Sequence, residues 1–140
     1  SEGGIWVIDI VNEVFDTVAN TVRSKHSKAR VVGEYVRFPA EFPTVTLDEI
    51  QNVSVEHLED SSDNENYAGV TYRLQVFSNK KSGKKAEARA IFATADMKMR
   101  EMGFKRITYT TTPEIYESTI YSIAATYEAI VGADGVVYRR

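Results

Sequence analysis

Two parts of the chain repeat apolar residues at the spacing of an amphipathic helix, and each predicts a helix. In residues 5–26, spacings of three and four place five apolar side chains on one stripe: Ile8, Val11, Phe15, Val18 and Val22. Trp6 and Val14 widen this apolar face. In residues 78–103 the stripe mixes alanine with larger side chains: Ala88, Ile91, Phe92, Ala95, Met99 and Met102. Gly103 stands where a left-handed residue closes a helix, and Phe104 supplies the hydrophobic contact of that motif. The candidates for the start of this second helix are Ser78, Asn79, Ser82 and Gly83.

Between and after the helices, apolar and polar residues alternate as they do in half-buried strands. The segment 30–58 is rich in β-forming residues, with alternation around Val45–Leu47 and Val53–Val55, but Pro39 and Pro43 argue against a central strand near them. Residues 70–76 and 121–131 alternate most clearly, and Ile107 and Tyr109 mark a further strand. Ala133-Asp134-Gly135 predicts a turn that leads into a short last strand.

The order of these elements is helix, strands, helix, strands, and it predicts an α+β fold. The expected architecture is an antiparallel or mixed β-sheet with two helices packed on one face. The chain has 140 residues, of which 43% are hydrophobic, which is enough for one core. No repeat, low-complexity tract or linker divides it, so residues 1–140 are expected to form a single domain. No apolar run is long enough to cross a bilayer, so we expect no contact with a membrane.

Few residues with catalytic or metal-binding chemistry are present. The chain has no cysteine, and its two histidines, His26 and His57, have no partner at a recognisable spacing, so both are interpreted as solvated. The segment Ser82–Lys85 resembles the end of a phosphate-binding loop, but the upstream glycine is missing. His57 with neighbouring carboxylates could form a loose hard-ion site, although a solvated loop is the simpler interpretation. We therefore expect no enzymatic activity, no cofactor and no metal.

The charge pattern is the most unusual feature of the sequence. Five cations surround the start of the second helix, where the helix dipole favours anions: Lys80, Lys81, Lys84, Lys85 and Arg89. Residues 59–66 form an acidic run without an apolar side chain, interpreted as a hairpin connection, and its candidate residues are Glu59, Asp60, Asp63 and Glu65. The cations could be offset by this run in the same chain, by the same run on a neighbouring subunit, or by a phosphate backbone. A solvated cluster is the alternative.

The arrangement of these segments resembles the tail terminator proteins of long-tailed bacteriophages, also called tail completion or tail-to-head joining proteins. The resemblance covers most of the chain and rests on the first helix, the Phe42-Pro43 pair and four further segments: 72–79, 84–88, 102–106 and 121–130. It implies a structural virion protein that forms a ring, commonly a hexamer, at the head-proximal end of the tail. The ring would cap the tail tube, meet the head connector or neck protein and let DNA pass through its lumen. The implied location is the virion, after assembly in the host cytoplasm.

A ring and the charge pattern together give a specific hypothesis. In a cyclic assembly one patch meets a different patch on the next subunit. We therefore expect the lysine-rich helix start of one copy to face the acidic run of another. Two alternatives remain open at this stage. The first is a head-completion or neck connector protein, and the second, from another functional class, is a nucleic-acid-binding α+β domain.

Overall fold

In a computed structural model of the chain we describe residues 9–37, 39–56, 66–113 and 119–138. They form two helices and six strands. The helices are α1 (Val11–Lys25) and α2 (Lys84–Glu101). The strands are β1 (Arg30–Val32), β2 (Thr44–Glu56), β3 (Asn66–Ser78), β4 (Lys105–Pro113), β5 (Tyr121–Gly132) and β6 (Val137–Tyr138).

The described strands form one mixed sheet in the order β1-β2-β3-β5-β4. β1 runs parallel to β2, and the other pairs are antiparallel. β6 pairs with residues 130–131 of β5, beyond the part of β5 that carries β4. β3 is the centre of the sheet, because it is paired along its length with β2 on one side and β5 on the other. The mixed sheet predicted from the sequence is confirmed.

Both helices lie on one face of the sheet, as expected. α1 packs over β1 and β2, α2 packs over β3, β5 and β4, and the two helices contact each other. Every second residue of β3 and β5 faces the helices and is buried. The strand members of this core are Ala68, Val70, Tyr72, Leu74, Val76, Tyr121, Ile123, Ala125, Tyr127, Ala129 and Val131. The strict alternation predicted for these two strands is confirmed.

The end of α2 has the predicted geometry. Gly103 has a φ of 100°, a left-handed conformation that residues with a Cβ rarely adopt. The Phe104 amide donates to the Met99 carbonyl at 3.0 Å, and the Gly103 amide donates to the Arg100 carbonyl at 3.0 Å. These two bonds define a Schellman motif. Phe104 is buried, so the contact that closes the motif also joins the core.

The first helix starts later than predicted, and the centre of its buried face is shifted within the predicted apolar face. Described helical residues begin at Val11, and the part of the predicted helix before Asp9 lies outside the described residues. The buried side chains are Ile10, Val14, Val18, Ala19 and Val22, whereas Val11 and Phe15 are only partly buried. Val14, Val18 and Val22 belong to the predicted face, and Val11 and Phe15 pack at its edge, so the helix is rotated slightly about its axis relative to the predicted stripe.

The segment 30–58 holds two strands, and one prediction within it is wrong. Val45 and Leu47 are buried as expected, but Val53 is 47% exposed. The pairing of β2 with β3 shifts by one residue between Glu49 and Gln51. Such a bulge transfers the following side chains to the opposite face. Tyr35, one of the β-forming residues, lies outside any strand and is exposed.

Candidate interaction surfaces

The predicted basic cluster is present at the start of α2. Lys80, Lys81, Lys85 and Arg89 are exposed and Lys84 is half-buried. Within the described part of the chain, none of the five forms an ion pair within 4.0 Å. The Lys85 ammonium lies 5.9 Å from the centre of the Tyr121 ring, at the outer limit of a cation–π contact. The cluster is therefore a positive surface without an ion-pair partner among the described residues of its own chain.

An acidic residue that the sequence analysis missed partly offsets this cluster. Glu87 lies in the first turn of α2, where a negative charge is favoured. Its carboxylate accepts a hydrogen bond of 2.6 Å from the buried Ser78 hydroxyl, whose oxygen accepts one from the Lys80 amide at 3.3 Å. Gly83, with a φ of 90°, occupies the N-cap position without a side-chain hydrogen bond. Ser78 therefore ties the end of β3 to the start of α2.

The predicted acidic partners Glu59, Asp60, Asp63 and Glu65 lie outside the described residues, as does His57. The segment that contains them joins β2 to β3 at the Asn66 end of β3, because Glu56 pairs with Asn66. α2 starts beyond the other end of β3. The twelve residue steps of β3 span about 40 Å. A connection of nine residues that returns to its start reaches at most about 15 Å. Contact between the acidic run and the basic cluster of the same chain is therefore disfavoured.

Two buried tyrosines face each other across the centre of the sheet, and their surroundings differ. Tyr72 of β3 and Tyr127 of β5 are register partners under the helices. The Tyr127 hydroxyl donates to Asp96 Oδ1 at 2.5 Å. Asp96 also accepts hydrogen bonds from Arg106 at 3.1 Å and pairs with Arg100 at 3.1 Å. Burial and then this hydrogen bond raise the pKa of Tyr127 well above its usual range.

Tyr72 has no equivalent of this network. Its hydroxyl and Glu49 Oε2 are both buried, and neither has a hydrogen-bond partner of acceptable geometry. Burial, then the negative charge of Glu49 and its closeness to the hydroxyl as an acceptor, raise the pKa of Tyr72 well above its usual range, so Glu49 lies near the hydroxyl although the two form no hydrogen bond of acceptable geometry. The other Glu49 oxygen accepts a bond of 3.2 Å from the Asn52 amide. The β2 side of the core thus contains a carboxylate that no cation of the described residues neutralises.

His26 has a structural role that the sequence analysis did not predict. It is half-buried at the end of α1, and its Nε2 lies 2.9 Å from the Thr94 hydroxyl of α2. The Thr94 hydroxyl also lies 3.3 Å from the Ala90 carbonyl, to which it can donate. His26 can then donate to the Thr94 oxygen, so the residue interpreted as solvated joins the two helices.

The face of the sheet opposite the helices is polar. At the end near β1, Arg73 pairs with Asp48 at 2.8 Å and lies 4.5 Å from the centre of the Tyr35 ring. Further along, Thr108 and Thr126 share a hydrogen bond of 2.7 Å. At the other end an open depression of about 260 Å³ is lined by Gln51, Val53, Gly69, Val70, Thr71, Glu128, Ala129 and Ile130. This face has the character of a solvated or interface surface.

The described residues contain no group of three or more histidine, cysteine, aspartate or glutamate side chains placed to hold a metal. Among these residues, no helix has both the length and the apolar composition that crossing a membrane requires.

The fold recurs in a virion. A chain in a structure described as the virion of a native gene transfer agent particle superposes with a TM-score of 0.58 and 13% sequence identity. The alignment covers 87% of this chain and 91% of the other. The two chains share a fold. No family model matches the sequence, and no curated protein matches it.

Proposed function

We propose that this chain is a structural subunit of a phage-like particle, and that it forms a ring at the head-proximal end of a tail. The observation that supports this most strongly is the shared fold, which extends over 87% of this chain and 91% of the virion chain. In this role the protein caps the tail tube and joins it to the head connector or neck protein. DNA passes through the ring without sequence-specific binding.

The distribution of charge supports self-association. Residues 39–72 contain eight acidic residues and no lysine or arginine. Residues 80–106 contain nine cations and three acids. Opposite charges on different surfaces of one subunit favour head-to-tail contacts over isologous ones, and head-to-tail contacts close into rings. Because the acidic run and the basic cluster leave opposite ends of β3, we expect them to meet between molecules.

The test is charge reversal of the basic cluster. Changing Lys80, Lys81, Lys84 and Lys85 to Glu should convert the ring to single chains of 15.7 kDa in native mass spectrometry. The matched control reverses Lys25 and Lys28, which are exposed at the end of α1. The wild-type ring should also dissociate as salt is added, because exposed charges are screened. An unchanged ring mass in the cluster variant would refute this contact.

Two other assignments have distinct signatures. A neck connector protein of similar fold would bind portal-side proteins, whereas a tail terminator would bind tail-tube protein. The second alternative is a nucleic-acid-binding domain. The observation that supports it is the set of cations at the start of α2 that form no ion pair among the described residues. Its affinity for duplex DNA would fall linearly with salt on logarithmic axes, and reversal of the cluster would flatten that slope. Absence of DNA binding at low salt would remove that alternative.

A further inference from the structure

We infer that the groove between α2 and the outer edge of β4 binds an extended acidic segment of a different protein, which adds a strand to the sheet. This inference goes beyond the proposed ring and does not depend on it, because the partner is not a second copy. In the described part of the chain, the outer edge of β4 has no strand beside it. Residues 107–111 are exposed, whichever face of the sheet their side chains lie on.

From Thr108 onwards, β4 lacks the features by which edge strands normally avoid pairing. Its bulge lies before Thr108, and the pairing with β5 is regular from there to Pro113. Residues 108–112 are uncharged, and the first proline is at the end of the strand. Edge strands that stay solvated commonly carry a central lysine, proline or bulge, or are very short. The edge is therefore suited to being covered by another strand.

The floor of the groove is aromatic. The rings of Tyr109 and Phe92 pack edge to face, with their centroids 5.1 Å apart. Tyr109 and Thr111 face the helices, because their partners in β5, Ala125 and Ile123, are buried on that side of the sheet. Tyr109 is nevertheless 42% exposed. Part of its ring is therefore available to an apolar side chain from a strand laid beside β4.

The wall that α2 contributes is positively charged. Phe92 contacts β4, so Arg89, three residues before it, and Lys85, one turn earlier, lie on the same side of the helix. Both cations are exposed, and neither forms an ion pair within 4.0 Å among the described residues. At the other end of the groove, two arginines share the single carboxylate of Asp96. The groove therefore carries an excess of positive charge.

The spacing of these groups defines the sequence pattern of the partner. Every second side chain of an added strand enters the groove, while its backbone pairs with the edge of β4. Arg89 and Lys85 lie about 5 and 11 Å from Phe92 along the helix axis. Side chains two and four residues along a strand lie about 7 and 14 Å from the first. An apolar residue over Tyr109, with acidic residues two and four positions away, therefore matches the groove.

Two other occupants match the groove less well. The acidic run of a second copy, residues 59–66, has no apolar side chain to cover the aromatic floor. DNA supplies negative charge, but it has no peptide groups to pair with the exposed edge of a sheet. A protein segment that alternates uncharged residues with apolar and acidic ones satisfies the edge, the floor and the wall together.

A labelled peptide tests the groove directly. The peptide Thr-Asp-Thr-Asp-Thr-Leu-Thr-Asp-Thr-Asp-Thr presents the pattern in either strand direction, and the matched control has Lys in place of every Asp. In fluorescence anisotropy at low salt, the wild-type protein should bind the acidic peptide at least about tenfold more tightly than the control. In hydrogen exchange, the bound acidic peptide should slow the amides of residues 107–112 and leave those of β1 unchanged.

Reversal of one cation separates this site from the ring contact. Arg89→Glu should weaken binding of the acidic peptide by about tenfold and strengthen binding of the lysine peptide. Lys28→Glu, at an exposed position after α1, is the matched control and should change neither affinity. Arg89 is not among the four lysines whose reversal tests the ring, so its variant should keep the mass of the wild-type assembly.

The outcomes distinguish this site from the proposed function. Absence of binding, equal affinity for the two peptides, or an affinity that Arg89→Glu leaves unchanged would overturn the inference and leave the ring intact. Tighter binding of an oligonucleotide than of the acidic peptide at the same residues would overturn it in favour of nucleic acid. A wild-type protein that forms no rings would overturn the proposed function and leave this site standing.

Discussion

The two sides of the sheet differ in whether the hydroxyl of a buried tyrosine is hydrogen-bonded. Each buries a tyrosine at the centre of the fold, and each places a carboxylate beside it. On the α2–β4 side, Asp96 accepts a hydrogen bond from the Tyr127 hydroxyl and is paired with two arginines. On the β2 side, Glu49 and Tyr72 leave two buried polar atoms without hydrogen bonds. The first side is internally satisfied, and the second carries negative charge that its own described residues do not balance.

This difference has a consequence for assembly. Cations in residues 80–106 exceed the acids there, whereas on the β2 side Arg73 pairs with Asp48 and no cation of the described residues pairs with Glu49. Under the proposed function, a second copy would balance the excess of cations at the start of α2. Satisfied buried networks add rigidity, whereas unsatisfied ones cost stability. We therefore expect the α2–β4 side to be the firmer half of the subunit.

Removing each carboxylate should give the largest difference in stability between the two sides of the sheet. Asp96→Ala should lower the free energy of unfolding by about 2 kcal/mol, because it leaves the buried Tyr127 hydroxyl without its acceptor and two guanidinium groups without their carboxylate. The loss is no larger because the Arg100 side chain is 53% exposed and water can solvate it when Asp96 is removed. Glu49→Gln should change stability by less than about 0.5 kcal/mol or increase it. Urea titration of both variants measures this, and equal losses would contradict the comparison.

Removing each tyrosine hydroxyl tests the same difference between the two sides of the sheet. Tyr127→Phe should cost about 1 kcal/mol, because Asp96 loses a short hydrogen bond while the ring still fills its site. Tyr72→Phe should be neutral or stabilising, since the hydroxyl that it removes has no partner. Thermal unfolding at neutral pH compares the pair directly. A larger loss in the Tyr72 variant would show that its hydroxyl is bonded in solution.

Alkaline titration gives the smallest expected effect. Both tyrosines have a folded pKa above that of the unfolded chain, so the folded state retains protons that the unfolded state loses. Their contribution to stability is complete below about pH 10 and decreases as the pH rises further. Each Tyr→Phe variant should remove part of that decrease in chemical denaturation above pH 10. A decrease identical to wild type in both variants would contradict the assigned burial.

The parts of the fold predictable from sequence are those set by local chemistry. The Schellman end at Gly103 and Phe104 follows from residues adjacent in the chain. The burial of Tyr72 and Tyr127 follows from a period of two. The bulge between Glu49 and Gln51 could not be predicted, because nothing in that alternation marks an extra residue, and it turned Val53 outward.

The features of the candidate surfaces also divide into those that neighbouring residues predict and those that depend on distant residues. The basic cluster could be found from the sequence, because its residues are neighbours. The Asp96 network joins residues up to 31 positions apart, and the His26–Thr94 contact joins residues 68 apart. Neither leaves a local pattern. Nor did the sequence reveal that the acidic run and the basic cluster are joined to opposite ends of β3, which disfavours the contact within one chain that the sequence had left open beside the contact between subunits.

Negative-stain microscopy of the purified wild-type protein at low salt tests the central claim most directly. Closed rings of uniform diameter that dissociate when salt is raised are expected. Single chains of 15.7 kDa at every salt concentration, with no rings at high protein concentration, would contradict it.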